Sequence, residues 1–379
     1  MDYGQKLKIL NKMNVFIFIL LILLVLLIVQ HKKNIKYYIF QNINYPINCN
    51  TAHPKWLKQL IPQLKENGYI GVQMSYVSSN LEQINCSIGW ASLFPLRQMR
   101  NHDQLKYASL SKIFTSTLIL QLIQQGKLQF NDHILEILKI PHSQDPNLTH
   151  VNIRHLLQHR AGFDKQKSGD LVFEKPEICP EQLYQLATLH LDFKPDQKFA
   201  YSNFGYCLLG EVIHHQDLNQ DLISTYKNQL FLPAKTNIQH IQNTKGTVNY
   251  FYHENDSKIQ PAFNYKNSTA YGGFVGSATD FSKVLHFIME QPYFYKQLTE
   301  LDPHCDLTKW QNCHGLAMYG YKEKGGKTVY WRDGSLPGMS AMSMYFDDHS
   351  SIVILTNYRG FNPKQDHQKL ARLLYKILK

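Results

Sequence analysis

The feature that most restricts the fold is the order of the chain's periodicities. β-rich runs stand near both ends of the foldable part, and a long helical stretch stands between them. Pro54 to Asn67 carries apolar residues at helical spacing (Trp56, Leu57, Leu60, Leu64) and stops at Asn67-Gly68, a helix-ending pair. Tyr69–Val77 and Gln83–Ser92 are rich in β-formers and flank Ser78-Ser79-Asn80, so they read as a hairpin. From Ser109 to about Asn237 the pattern turns helical, with apolar runs at Ile113–Ile123, Ile153–Leu157, Leu183–Leu189 and Tyr206–Ile213. Gly315–Tyr319, Thr328–Trp331, Gly338–Phe346 and Ile352–Asn357 then predict an antiparallel meander, and Leu370, Leu373, Leu374 and Ile377 an amphipathic closing helix. The expected fold is α+β: an antiparallel sheet fed from both ends of the chain, flanked by N- and C-terminal helices, with an inserted all-helical lobe over about 109–264. A chain of this size exceeds what one core organises, so two lobes are expected, with a cleft where a site can form.

Ahead of this region lie fifteen uninterrupted apolar residues, Val15–Val29. A full span usually takes about 20 residues, but no small-x-small cleavage site follows, so the segment reads as an uncleaved N-terminal membrane helix, a signal anchor. The expected organisation is 1–36 anchor, 37–54 Asn/Tyr/Pro-rich tether and 55–379 folded domain. Lys6, Lys8, Lys12, Lys32, Lys33 and Lys36 face Asp2 alone, so this flank holds +5 of the total charge of +11. Lysines stand equally on both sides and do not orient the segment. The remaining 343 residues carry +6 with no dense basic run, which gives no reason to expect nucleic-acid binding.

Six cysteines without a CxxC pair are too few for a disulfide scaffold. Cys305 and Cys313, beside His304 and His314, match no common zinc spacing and read as a local disulfide or two free thiols. His155 and His159 are four apart but lack a third ligand, so helix packing is expected of them. No metal or cofactor is expected.

Three stretches can carry chemistry. Ser109 and Lys112 are i and i+3 at the start of the first long helical run, so hydroxyl and amine can meet on one face. A lysine in its neutral form can take the serine proton, so acylation through this pair slows at acidic pH. Tyr201-Ser202-Asn203 offers a phenol that can relay a proton and an amide that can hold a carbonyl, although the same residues suit a helix cap. In Trp331-Arg-Asp-Gly-Ser-Leu-Pro-Gly338, Gly334 permits close backbone approach and Ser335 presents an N–H, although Asp-Gly and Pro-Gly also suit a β-turn.

Together these stretches resemble the class C β-lactamase and penicillin-binding-protein-like serine hydrolases. The likeness is carried by Ser109-Leu-Ser-Lys-Ile-Phe-Thr115, Leu122-Ile-Gln-Gln-Gly-Lys-Leu128, Ile153-Arg-His-Leu-Leu-Gln-His-Arg-Ala-Gly162, Tyr201-Ser-Asn-Phe-Gly-Tyr-Cys-Leu-Leu-Gly210 and Gly272-Gly-Phe-Val-Gly-Ser-Ala-Thr-Asp280, in family order over roughly residues 55–375. The resemblance implies a β-lactamase/transpeptidase-like fold. It makes Ser109 the acylated nucleophile, Lys112 its base partner, Tyr201 a second proton carrier and Asn203 a substrate-positioning amide, with the N–H groups of Ser109 and Ser335 as oxyanion hole.

Where the family usually has Lys-Thr-Gly or His-x-Gly, this chain has Arg332-Asp333-Gly334. Arginine stays protonated in a protein, and its planar fork suits a substrate carboxylate, so Arg332 is expected to bind one or else to pair with Asp333 or Asp347. The function implied is a membrane-anchored serine hydrolase forming a Ser109 acyl-enzyme with small-molecule or peptide substrates, among them esters, amides, β-lactams and peptidoglycan-derived D-Ala peptides. Family relatives mostly act on exported substrates, which places the domain on the periplasmic side of the inner membrane. The alternative is a catalytically weak or inactive member that binds cell-wall peptide or a protein partner.

Overall fold

A computed structural model describes residues 17–18, 20–22, 45–52, 54–164, 178–216, 220–244, 248–252, 264–360 and 362–379. Most of the apolar Val15–Val29 segment and half of the 37–54 stretch lie outside these residues. Among the described residues, no helix is long and apolar enough to cross a membrane.

The main sheet is built as the order of periodicities requires. Its strands are β1 (Ile47–Cys49), β2 (Gly71–Val77), β3 (Gln83–Leu93), β4 (Leu96–Gln98), and, after a long interval, β8 (Cys313–His314), β9 (Tyr319–Tyr321), β10 (Val329–Leu336), β11 (Met339–Phe346) and β12 (Ser351–Thr356). They run in the order β1-β3-β2-β12-β11-β10-β9-β8, all antiparallel, with β4 pairing the end of β3. N- and C-terminal strands meet at β2–β12, where Met74 faces Ile354. Strands β11 and β12 are buried at every position because the sheet is covered on both faces.

One face is covered by the terminal helices α1 (Leu57–Glu66) and α5 (Pro363–Leu378), whose Leu60, Leu64, Leu370 and Leu374 pack with Val72, Ile88, Trp331 and Met344. On the other face lie α2 (Ser111–Gln124), α3 (Asn203–Gln216) and α4 (Ala278–Met289), with Phe114, Phe281 and Leu285 in the core.

The intervening lobe departs from the all-helical expectation. A second sheet, in the order β5 (Leu105–Lys106), β7 (Phe274–Gly276), β6 (Gln239–His240), draws one strand from it and one from each side of it, and short 3₁₀ turns at 148–150, 183–188 and 241–243 interrupt its helices. The expected tether is also shorter than its range: β1 adds to the edge of β3, and Cys49 is bonded to Cys86. Cys179–Cys207 and Cys305–Cys313 are also disulfides, so the thiols beside His304 and His314 are bonded to each other.

Candidate active site

Ser109 stands not on the long helix but on the 3₁₀ turn Ala108–Leu110 that feeds α2. Ala108 before it has φ +49°, a left-handed conformation that costs free energy in a non-glycine residue and turns the serine into the cleft. Lys112 follows one turn on, fully buried. Its Nζ lies 2.7 Å from Asn203 Oδ1, 2.9 Å from the Tyr271 carbonyl and 3.3 Å from Ser109 Oγ.

The Tyr201-Ser202-Asn203 segment resolves both readings of its sequence. Ser202 Oγ accepts from the Gly205 N–H and so does the capping. Its neighbours are thereby released for the site. The Tyr201 hydroxyl lies 2.7 Å from Ser109 Oγ and 3.4 Å from Asn203 Oδ1. Burial raises the Tyr201 phenol above its ordinary value, opposed by the nearby Arg332 charge and the bond with Ser109. A serine hydroxyl within reach of both a phenol and an amine is an arrangement for nucleophilic attack with proton transfer.

The strand carrying Arg332 forms the far wall. Residues 332–336 are strand rather than turn; the turn comes at Pro337-Gly338. Strand β9 pairs only with Val329–Trp331, which leaves the later part of β10 against the Ser109 turn. Gly334 makes that approach possible: a Cβ there would stand 2.6 Å from the Tyr107 carbonyl and 3.2 Å from the Ser109 nitrogen. Ser335 follows, its Oγ accepting from Arg359 at 3.1 Å.

Arg332 stands at the back of this wall. It is 1% exposed, donates to the Ala317 carbonyl at 2.9 Å and lies 3.3 Å from His314 Nε2. Its guanidinium carbon is 5.2 Å from the centre of the Tyr201 ring and 5.9 Å from that of Tyr319. It pairs with neither expected acid: Asp333 points to the opposite face and meets His367 Nδ1 at 2.8 Å, and Asp347 accepts from the Thr328 N–H. The guanidinium lies buried behind Tyr201, with its Nε and Nη2 without a hydrogen-bond partner among the described residues.

Two histidines complete the wall. His159 is not on a helix face; it follows the helix Ile153–Leu157 with φ +55°. Its carbonyl accepts from the Ala200 N–H at 2.8 Å and its Nδ1 from the Ser202 N–H at 3.2 Å, so one residue grips both sides of Tyr201. Its ring lies 4.5 Å from the Tyr201 ring and 5.1 Å from that of His314. Burial, and then the charges of Arg332 and other neighbours, hold both imidazoles well below their usual range, so they are neutral. His155 instead closes a capping box with Asn152. His159 lies in a stretch quoted for the family resemblance, yet nothing in its spacing announced this role. Among the described residues no cluster of His, Cys, Asp and Glu is placed to hold a metal.

A beta-lactamase family model matches residues 57–376. A protein of Dichelobacter nodosus described as a putative fimbrial assembly protein FimD (serogroup D) is 28% identical over 88% of this chain and 86% of its own. Protein flp of Staphylococcus aureus is 23% identical over 80% of this chain and 59% of its own. Among solved structures, the D-amino acid amidase of Ochrobactrum anthropi SV3 superposes with a TM-score of 0.70 at 16% identity, covering 85% of this chain and 97% of that one. The octameric penicillin-binding protein homologue of Pyrococcus abyssi gives 0.68 at 19%, covering 84% and 76%. At these identities the structural likeness is one of fold.

Proposed function

Because the chain belongs to the beta-lactamase family of serine hydrolases, we propose that it works through an acyl-enzyme at Ser109 on amide, peptide or ester substrates. The observation that carries this reading is the Ser109 Oγ held between the Tyr201 hydroxyl and Lys112 Nζ. As Oγ bonds to the substrate carbonyl carbon, its proton passes, directly or by way of the Tyr201 hydroxyl, to Lys112 in its neutral amine form, and the carbonyl oxygen takes up negative charge against the N–H groups of Ser109 and Ser335. The C–N or C–O bond then breaks and the proton leaves with the departing amine or alcohol. Water repeats the sequence to release the acid. Asn203 holds Lys112 in place, and Gly334 holds the strand close enough for both N–H groups to act. Arg332 favours negative charge on Tyr201 through a fixed positive charge that never leaves as a proton.

The same reading places the domain outside the cytoplasm, anchored by the apolar Val15–Val29 segment. All six cysteines are bonded in pairs, which fits an oxidising compartment. A cytoplasm-only reporter fused after Lys379 is expected to stay silent, and its activity overturns the placement. The reaction is tested by turnover of a panel of β-lactams, D-Ala-D-Ala peptides, D-amino acid amides and short-chain esters. Turnover of at least one substrate that Ser109→Ala abolishes supports the reading, and turnover unchanged by Ser109→Ala overturns it.

A further inference from the structure

The hairpin formed by β3 and β4 ends in Leu93-Phe94-Pro95-Leu96, with Leu93 facing Leu96 across the turn. Phe94 is 90% exposed and Leu96 62%, the highest exposure of any large apolar pair adjoining in a single turn among the described residues. The base beneath them is braced. Arg97 donates to both carboxylate oxygens of Asp103 at 2.9 Å, Asn249 Nδ2 donates to Ser92 Oγ at 2.9 Å, and Asn357 Nδ2 donates to the Trp90 carbonyl at 2.9 Å. A rigid stem therefore presents apolar side chains to solvent, a costly arrangement unless something covers them.

The topology says which way this tip points. Strand β1 is antiparallel to β3 with Ile47 facing Ile88, and the Gly89 N–H donates to the Pro46 carbonyl, so the chain arriving from the apolar segment joins the sheet beside the tip's stem. In the order β3-β2-β12-β11-β10 every pairing is antiparallel, so β3 and β10 run the same way. Their C-terminal ends, one carrying the tip and the other Gly334 and Ser335, lie at one end of the sheet. Four inter-strand steps of about 4.8 Å offset the two strands by roughly 20 Å, and the register that sets Gly334 level with Ser87 carries the tip about 20 Å further out along the strand direction. Residues 30–44 between Val29 and Tyr45 reach about 50 Å at most, so the anchored domain is held near the bilayer, where a weak contact suffices.

We propose that the Leu93–Leu96 tip dips into the interfacial region of the bilayer that holds the Val15–Val29 segment, turning the catalytic end of the sheet toward that surface. The inference rests on the anchoring reading above. Phe and Leu gain free energy at the boundary between headgroups and acyl chains without crossing it. The consequence is that the cleft opens beside the membrane, where it meets membrane-proximal substrates.

The test uses the full chain reconstituted into phosphatidylethanolamine/phosphatidylglycerol vesicles. Because all native cysteines are disulfide-bonded, single variants Phe94→Cys, Leu96→Cys and Ser79→Cys each carry one nitroxide label. Ser79 lies in the β2–β3 turn at the opposite end of the sheet. After flotation, collision rates with oxygen, which concentrates in lipid, and with a water-soluble nickel chelate are compared. The expected result is an oxygen-to-nickel ratio several-fold higher at 94 and 96 than at 79. Chain that floats with ratios equal at all three sites overturns the tip contact and leaves the anchor standing. Protection from both reagents at 94 and 96 also overturns it, in favour of a protein partner or a second copy. Chain that fails to float overturns both the anchor and the tip contact.

Discussion

On the face of β10 turned toward the helical layer, Arg332 lies among rings and a backbone carbonyl; on the face turned toward α5, Asp333 meets an imidazole. Adjacent residues of one strand point to opposite faces. Among the described residues no carboxylate lies at hydrogen-bond distance from the arginine, its neighbours His159 and His314 are held neutral, and its charge opposes the rise of the Tyr201 phenol. The carboxyl of Asp333, which burial alone would raise, is held below its usual value by His367 and Arg332. One face therefore carries a buried guanidinium beside the nucleophile, and the other carries a hydrogen-bonded Asp333–His367 pair that braces the strand.

The most damaging way to break this contrast is to remove the phenol on which the charged face acts. Tyr201→Phe is expected to lower kcat by about 10²–10⁴-fold with little change in melting temperature. Steady-state kinetics beside a thermal melt checks it, and loss of stability without loss of rate would make this loop merely a cap. Next comes Arg332→Ala. Removing a preorganised charge beside the reacting groups costs about 10²–10³-fold in kcat, and because the residue is buried, a carboxylate-bearing substrate and its methyl ester should lose alike. A loss confined to the acid of the matched pair would mean that the guanidinium reaches the substrate.

On the opposite face, Asp333→Ala leaves the buried His367 Nδ1 without its acceptor. It should cost about 1–3 kcal/mol of stability by denaturant titration, while kcat stays within about threefold. A rate loss matching that of Arg332→Ala would erase the distinction between the faces.

The last contrast concerns the two histidines. Free imidazoles titrate near 6.5, whereas His159 and His314 titrate well below that when folded. Below pH 6.5 the unfolded chain therefore binds more protons than the folded one, and stability falls as pH drops until the folded values are reached. The slope should approach about 1.4 kcal/mol per pH unit for each histidine. His159→Asn, which can keep an acceptor for the Ser202 N–H, should flatten part of it. Melting curves at pH 4.5–7.5 read this directly.

The sheet was legible because its signals are local. The β-rich runs read at 69–77, 83–92, 338–346 and 352–357 needed no knowledge of the partner strand. The lobe was less so: the second sheet is built from pieces of two or three residues, too short for any period to show, and its 3₁₀ turns have apolar spacing like that of helices. At the site, Ser109, Lys112, Tyr201 and Asn203 converge as the motif spacing and resemblance implied. The direction of Arg332 depended on whether residues 332–336 were turn or strand, and Asp-Gly favours a turn that long-range pairing with β11 overrides. His159 was hidden for another reason. Its value lies in a backbone carbonyl and a ring nitrogen that meet Ala200 and Ser202 only once the chain has folded.

The central claim is that Ser109 is the atom acylated and that the Tyr201–Arg332 arrangement sets the rate. It is tested most directly by intact-mass measurement and peptide mapping of the full chain after timed exposure to a fluorophosphonate and to a penicillin. The account predicts a single covalent adduct with at least one of the two, mapped to Ser109, absent in Ser109→Ala and formed about 10²-fold or more slowly in Arg332→Ala. An adduct that persists in Ser109→Ala, or wild-type protein that remains unmodified by both reagents, would contradict it.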